Sequence, residues 1–401
     1  MMLSFEQALT YLLDAAKPVG DVETVSLKAA LGRVLATEQK ARVSMPPHDN
    51  SAMDGYAVRV VDVPEPGVCL PVSQRIPAGV VGDNLQPGTC ARIFTGAPVP
   101  LGADAVVMQE QCEQGSVGVL FNISPKEGQN IRLAGEDFCA DQVVLQAGQR
   151  LLPQHLGLAA AAGLGSLPVL RRLRVAIFLT GDELFEPGSP LPPGGIYNSN
   201  RYTLNGFLES LGCDVTDLGQ VPDTLEATRQ ALRQVAQSHD LVLTSGGVSV
   251  GEEDHVKAAL EAEGRVDLWK IAMKPGKPLA FGYLRHAGGE TCFMGLPGNP
   301  VATFVTFLLL VRPFILRQQG EKATLPNTRL VPAGFAIGKP DSRLEFLRVR
   351  LDEAGRLMIC GNQSSGALTS TVRAEGLAFI PPDKPVAEGD LLEYLPFSEV
   401  L

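Results

Sequence analysis

The 401-residue sequence has no CxxC pair and no Cys/His spacing of the kind that ligates zinc. That excludes a zinc-ribbon fold and a disulfide framework, and leaves its seven scattered cysteines as reduced thiols. Positive charge is also short: 34 Lys and Arg face 44 Asp and Glu, a formal net charge of -10. Such a chain is unsuited to nonspecific binding of nucleic acid or anionic lipid, which are held through basic patches. The longest apolar run, VATFVTFLLLV (Val301 to Val311), stops at Arg312, short of the roughly 18 residues that span a bilayer. It is expected to be a core helix, with no membrane as partner. The opening MMLSFEQALTYLLDAA has neither a basic n-region nor a small-residue cleavage site, so the expected compartment is the cytoplasm. No GxxxxGK[ST] and no GxGxxG after a strand occurs, which argues against a nucleotide-hydrolysing P-loop and a dinucleotide enzyme.

What is present is enough apolar material, 45%, to fill several cores. SFEQALTYLLDAA has Ser4 and Gln7 in capping-box spacing and Phe5, Leu9, Leu12 and Leu13 on one helical face; VSLKAALGRVLATE predicts a second helix. Short apolar runs between Gly/Pro turns then predict an inserted β domain, and LLPQHLGLAAAAG returns to helix. Between Arg174 and Gly320 strands and helices alternate, which predicts an α/β layer with a mostly parallel sheet. The last part, with LEFLRVRLDEAGRLMIC as a hairpin, reads as a small β barrel or sandwich. The expected fold is therefore α/β multidomain. A helical N-terminal domain takes residues 1–44 with 136–168, the inserted β domain 45–135, the α/β domain 169–320, and a C-terminal barrel-like β domain 321–401.

Three motifs fall where loops of the α/β layer leave their strands: TGDEL with Thr180 and Glu183, TSGGVSVGEED with Ser245, Gly246, Gly247, Ser249 and Asp254, and GLPGNP with Pro297 and Pro300. They are expected to converge on one sheet edge, outside the strands' carboxyl ends. Glycines let backbone N–H groups approach an anion, and a following helix adds its positive end. Three consecutive carboxylates beside such a cradle make sense if a divalent cation bridges them to phosphate oxygens. Taken alone, the SGG turn is a tight connection, and Asp254 is equally a helix N-cap.

Residues Arg265 to Arg285 are the local exception to the acidic balance, carrying Arg265, Lys270, Lys274, Lys277 and Arg285 against Asp267. An anion site there competes with a plain solvated face. Upstream, PPHDNSAMDGYAV with Asp54, RIFTGAPVP with Thr95, and NIRLAGED with Asp137 are turns rich in Asx residues, glycine and charge.

PPHDNSAMDGYAV, RIFTGAPVP, NIRLAGED, TGDEL, IYNSN, TSGGVSVGEED, KPGKP and GLPGNP, in this order, resemble the molybdopterin molybdenumtransferase family, to which bacterial MoeA and the E domain of gephyrin belong. The resemblance implies an elongated homodimer of four-domain subunits, with the helical N-terminal domain in dimerisation. It implies the last step of molybdenum cofactor synthesis: molybdate enters adenylylated molybdopterin, the pyrophosphate link is cleaved with Mg²⁺, and AMP leaves. Carried over by motif, Asp54, Glu183, Asp223 and Asp254 are the catalytic acids, the last three also the metal holders. Thr95, Asp137, Thr180, Ser245, Gly246, Gly247, Ser249, Lys270, Lys274, Lys277, Pro297 and Pro300 are the substrate-binding positions. Arg343, Arg348 and Ser365 are further candidates for oxyanion contact. The enzyme that adenylylates molybdopterin is an implied partner. That adenylyltransferase reaction is the rival enzymatic reading, opposed by the long upstream half; a non-catalytic dimeric scaffold is the other, opposed by carboxylates at every motif.

Overall fold

A computed structural model of the chain describes residues 2–247, 255–276 and 278–401. Six strands build the central layer: β1 (Arg174–Thr180), β2 (Asp214–Val221), β3 (Leu241–Ser245), β4 (Gly264–Lys270), β5 (Pro278–His286) and β6 (Gly289–Leu296). β1 buries six of its seven residues and β3 all five, the pattern of strands covered on both faces. Alternate β1 residues serve opposite cores, Val175, Ile177 and Leu179 on one side and Ala176 and Phe178 on the other. Spatially the order is β2-β1-β3-β6-β5-β4. The first four run parallel, whereas β5 is antiparallel to both β6 and β4.

Parallel neighbours need crossovers, and helices supply them. These are α1 (Ser199–Ser210), α2 (Leu225–Ala236) and α3 (His255–Glu263), while α4 (Pro300–Gln318) follows the last strand, β6. Asn198 caps α1 by accepting the Arg201 N–H, and Thr224 caps α2 by accepting that of Ala227. On α2 the buried Thr228, Ala231, Leu232, Val235 and Ala236 recur at helical spacing and face one side of the sheet. The apolar run expected as a core helix forms the middle of α4, most of which is buried.

Around this layer sit three further parts. The helix Phe5–Ala15 has the expected capping box, and drives Phe5, Ala8 and Leu12 into the core of the α/β layer. Phe5 also meets the ring of Phe346 edge-on, with centroids 5.3 Å apart. The segment VSLKAALGRVLATE differs from expectation. Val22–Ser26 is a strand paired antiparallel with Ser166–Leu170, followed by a 3₁₀ turn at Leu27–Ala29. Only Val25 and Ser26 of the segment belong to that strand; the rest has helical spacing but forms no α-helix, and its Val34 and Leu35 bridge to Arg150 and Val169 instead.

The β insert holds a four-stranded sheet and a three-stranded one, the former built by Val72–Ile76, Cys90–Ile93, Gly55–Val58 and Ala105–Met108. In the C-terminal sheet, Leu344–Leu351 and Leu357–Ile359 form the expected hairpin. Met273–Lys274, from the KPGKP region, joins that sheet as a parallel edge beside Leu344–Leu351. All seven cysteines are free, and burial pushes the Cys213 and Cys292 thiols up to about 12.

Leu12 is fully buried against the α/β core although it belongs to the N-terminal helix. Leu12→Ala is expected to destabilise the protein by about 2–5 kcal/mol, read as a shift in the denaturant midpoint. An unchanged midpoint would show that the helix is not part of that core.

Candidate active site

β1 has β2 on one side and β3 on the other, so the chain leaving β1 and the chain leaving β3 diverge around a crevice. Strand-order reversals of this kind are where open α/β sheets receive ligands. A cleft of about 610 Å³ occupies that place. Thr180 and Glu183 follow β1 into it, Ser245 and Gly246 follow β3, and Gly298, Asn299 and Pro300 follow β6. The three loops read from sequence do meet. Asn198 and Asn200 at the start of α1 add a fourth wall, and Gly366 and Leu368 of the C-terminal domain a fifth.

Close backbone contact makes this junction tight. Gly246 has φ +92°, and a Cβ there would lie 2.5 Å from the Thr180 carbonyl oxygen. Only glycine fits. Hydroxyls and amides then tie the loops together. Ser245 Oγ donates to the Pro297 carbonyl at 2.8 Å, as does Thr303 Oγ1 at 2.6 Å. Asn200 Nδ2 donates to Ser245 Oγ and to the Gly298 carbonyl, both at 2.8 Å. Ser245, expected to contact substrate, therefore has its proton committed inside the protein, because Pro297 offers only an acceptor. Its role is to join the β3 and β6 loops. The first turn of α4 is met by the C-terminal domain, where Val301 N–H donates to the Ser365 carbonyl at 3.0 Å.

The acids lie around the β1 turn. Thr180 is 2% exposed and donates its hydroxyl to Asp223 Oδ1 at 2.9 Å, so it orients that carboxylate. Gln220 donates to the Gly181 carbonyl at 2.8 Å and brings the end of β2 against the same turn. The Glu183 carboxylate folds back over Gly181: a Cβ on that glycine would be 2.6 Å from Glu183 Oε2. Among the described residues, neither Glu183 nor Asp223 forms an ion pair. Two carboxylates at adjacent strand ends without a cationic side chain suit a hard divalent ion, which takes oxygen donors. No group of three His, Cys, Asp or Glu side chains able to hold a metal forms among the described residues. Asp254, the expected third ligand, lies outside them, as do Ser249 and Lys277.

Several expected site residues stand elsewhere. The described lining of the cleft does not include Lys270, Lys274, Asp54, Thr95, Asp137, Asp223, Gly247 or Pro297, although Asp223 and Pro297 are bonded to the lining residues Thr180 and Ser245. Lys270 is exposed. Lys274 pairs with Glu345 at 3.0 Å and Asp341 at 3.4 Å, and those hydrogen bonds, Glu345 first, raise its pKa above the ordinary lysine value. Arg265 is likewise engaged, pairing with Glu290 and Asp267 and lying 4.0 Å over the Tyr283 ring. The basic segment is thus partly neutralised by acids distant in sequence. Asp54 accepts the Thr95 N–H at 2.8 Å and its hydroxyl at 2.7 Å, which holds its carboxyl below the usual carboxylate range. That pair belongs to the β insert, and Asp137 is exposed at its exit.

Arg343 and Arg348 depart from the expected oxyanion contact. Arg343 is bidentate to Asp341 at 3.0 Å. Arg348 is 1% exposed, with its guanidinium directed to Ser370 Oγ and to the carbonyls of Phe346, Asn362 and Ser364. It braces the loop that carries Gly366 and Leu368. The residues that sequence reasoning left out are Asn198, Asn200 and Gly298; the IYNSN and GLPGNP motifs contain them, but as turn formers they read as punctuation.

Compared with known proteins, the chain matches three family profiles in succession. "MoeA N-terminal region (domain I and II)" covers residues 3–163, "Probable molybdopterin binding domain" residues 176–317, and "MoeA C-terminal region (domain IV)" residues 331–397. A curated relative, molybdopterin molybdenumtransferase of Haemophilus influenzae, is 40% identical over 408 residues, covering 100% of both chains. Molybdopterin molybdenumtransferase 2 of Mycobacterium tuberculosis is 39% identical, covering 97% of each. A solved molybdopterin biosynthesis MoeA protein from Pyrococcus horikoshii has a TM-score of 0.85 at 28% identity, covering 98% of this chain and 99% of that one. A second structure from that organism has a TM-score of 0.82 at 30% identity, covering 99% of each.

Lys274 gives the site region a pH signature. Its folded pKa is raised above 10.5, so its contribution is fully present below about pH 10.5 and fades as pH climbs through the higher folded value. Lys274→Met is expected to lose that part of the alkaline dependence, measured as the difference between denaturant titrations of the two proteins from neutral to strongly alkaline pH. Parallel curves would mean that the pairs with Glu345 and Asp341 contribute nothing in solution.

Proposed function

The chain belongs to the MoeA family of molybdopterin molybdenumtransferases, and from that premise we propose that it inserts molybdate into adenylylated molybdopterin with release of AMP. It is a transferase of molybdenum cofactor biosynthesis. The observation that carries the finer reading is the cleft itself: Glu183 lines it where the β1, β3 and β6 loops meet, and Asp223 accepts from Thr180 of the same wall, both acids without an ion-pair partner among the described residues. Both substrates are anions. The positive end of α4 favours them, and a cation is required where they approach the acids.

In this reading Glu183, Asp223 and Asp254 are the residues that hold Mg²⁺. When bound, the ion offsets the repulsion between those acids and the phosphate oxygens and polarises the pyrophosphate link. Thr180 keeps Asp223 aligned through its hydroxyl, and Gly246 and Gly247 let the β3 turn pack directly on Thr180 and Val256. Lys270 and Lys277 steer the pterin phosphate or the oxyanion toward the acids; Lys274 joins them on releasing Asp341 and Glu345. Pro297 and Pro300 shape the wall through the carbonyl that Ser245 and Thr303 bind and through the start of α4.

Asp54 and Thr95, with Asp137, come to the cleft from a second copy of the chain. Their place on the β insert, outside the described lining, supports a homodimer in which each site is completed by the mate. The low carboxyl pKa that the Thr95 N–H imposes keeps Asp54 ionised, as a residue that orients a cation or a water must be. The enzyme that adenylylates molybdopterin supplies the substrate, and the cytoplasm is where the two meet.

Purified protein given adenylylated molybdopterin, molybdate and Mg²⁺ is expected to release AMP, and chelation of divalent metal is expected to stop release. Asp54→Asn and Asp254→Ala should each lower the rate by about 100-fold or more while circular dichroism stays unchanged. Normal turnover by both variants would overturn the assignment.

A further inference from the structure

Among the described residues, two buried polar atoms of side chains that line the cleft have no hydrogen-bond partner. They are Asn198 Nδ2 and Asn200 Oδ1. Asn198 is 1% exposed. A buried amide atom left unpaired is unfavourable, and native proteins retain few of them.

Which atom of each amide is unpaired follows from its surroundings. The oxygen of Asn198 accepts the Arg201 N–H at 3.3 Å as the cap of α1. Reversal would set an NH₂ group against that N–H, donor against donor, so Nδ2 is the free atom. Asn200 faces the Gly298 carbonyl, which has no hydrogen to give, and Ser245 Oγ, whose hydrogen is directed to the Pro297 carbonyl. Its NH₂ group must point there, so Oδ1 is the free atom. The cleft therefore holds one unpaired donor and one unpaired acceptor, two residues apart at the start of one helix.

Taken singly, an ionised phosphate, an oxyanion or a metal ion matches only one of the two polarities. A planar heterocycle with a ring acceptor next to an N–H or amino group matches both. We infer that Asn198 and Asn200 read such an edge of the substrate, the first donating to a ring acceptor and the second accepting from a ring N–H or amino group. The inference rests on the substrate proposed above, which carries this chemistry twice, in its pterin and in its adenine. Asn198 and Asn200 are then the residues that distinguish the substrate from other phosphate esters, since a site built to hydrogen-bond a group discriminates strongly against ligands that lack it.

Asn198→Ser tests this, because serine keeps a neutral N-cap for α1 and removes the amide NH₂ group, its own hydroxyl being shorter by one bond. Binding of AMP alone and of molybdopterin alone is measured by calorimetry, together with KM and kcat for AMP release and the melting temperature. The expected result is a rise of about 10- to 100-fold in Kd for one of the two ligands, matched in KM, with kcat and melting temperature little changed. The ligand that weakens identifies the heterocycle. Should the serine variant fold poorly, Asn198→Thr, another neutral cap, carries the same measurement. Kd values for both ligands within twofold of wild type, in a wild-type protein that does release AMP, overturn the inference. Failure of the wild type to release AMP overturns the substrate reading instead.

Discussion

The placement of β1 between β2 and β3 is the constraint on which the rest of the molecule depends. Parallel strands deliver their loops to the same edge, and the order β2-β1-β3-β6 makes the loops after β1 and β3 part around a crevice. That crevice persists only if the backbones bordering it come close, which is why a side chain at Gly246 would strike the Thr180 carbonyl. Burial of alternate β1 residues on both faces holds the strand in place, with Val175, Ile177 and Leu179 on one side and Ala176 and Phe178 on the other. The site is thus a consequence of sheet topology and core packing before any catalytic side chain is considered.

Within the crevice most polar groups serve the fold, and a few are left over for a ligand. Ser245, Thr303 and the Asn200 NH₂ group lock the β3 and β6 loops to one another. Thr180 orients Asp223. What remains among the described residues is Glu183 and, behind Thr180's hydrogen bond, Asp223, neither in an ion pair, with the start of α4 and a donor and acceptor on Asn198 and Asn200. An anionic substrate bearing a heterocycle, accompanied by a divalent ion, uses each of these remainders. The C-terminal domain meets the α/β layer at two points: Met273–Lys274 joins its sheet, and Ser365 accepts from Val301 at the head of α4.

Much of this was legible in the residues. Uninterrupted apolar runs such as RVAIFLT gave the buried strands, the glycine turns marked the loops, and motif order pointed to the family. The second N-terminal segment misled because VSLKAALGRVLATE carries helical spacing, while its true partner, Ser166–Leu170, lies far along the chain. Hydroxyls and cations were read as ligand contacts wherever they stood near a glycine turn. Ser245 and Lys274 also answer to Pro297, Asp341 and Glu345, whose proximity only the fold reveals. Arg348 is the same lesson inverted: a cation expected at a surface for anions is fully buried among carbonyl oxygens. Asn198 and Asn200 went unnoticed because an asparagine at a helix start has a sufficient local explanation as a cap. Their surplus hydrogen-bonding capacity becomes visible only when every neighbour is counted.

The central claim is that phosphate, metal and acids meet at the crevice beside β1. Crystals grown with AMP and Mn²⁺ in place of Mg²⁺, examined by anomalous scattering, test it most directly. The account predicts a manganese peak bounded by the carboxylates of Glu183 and Asp223, with the AMP phosphate on the side of the β3 turn. A manganese peak on another surface, or AMP bound away from the β1 and β3 loops with the crevice left to solvent, would contradict it.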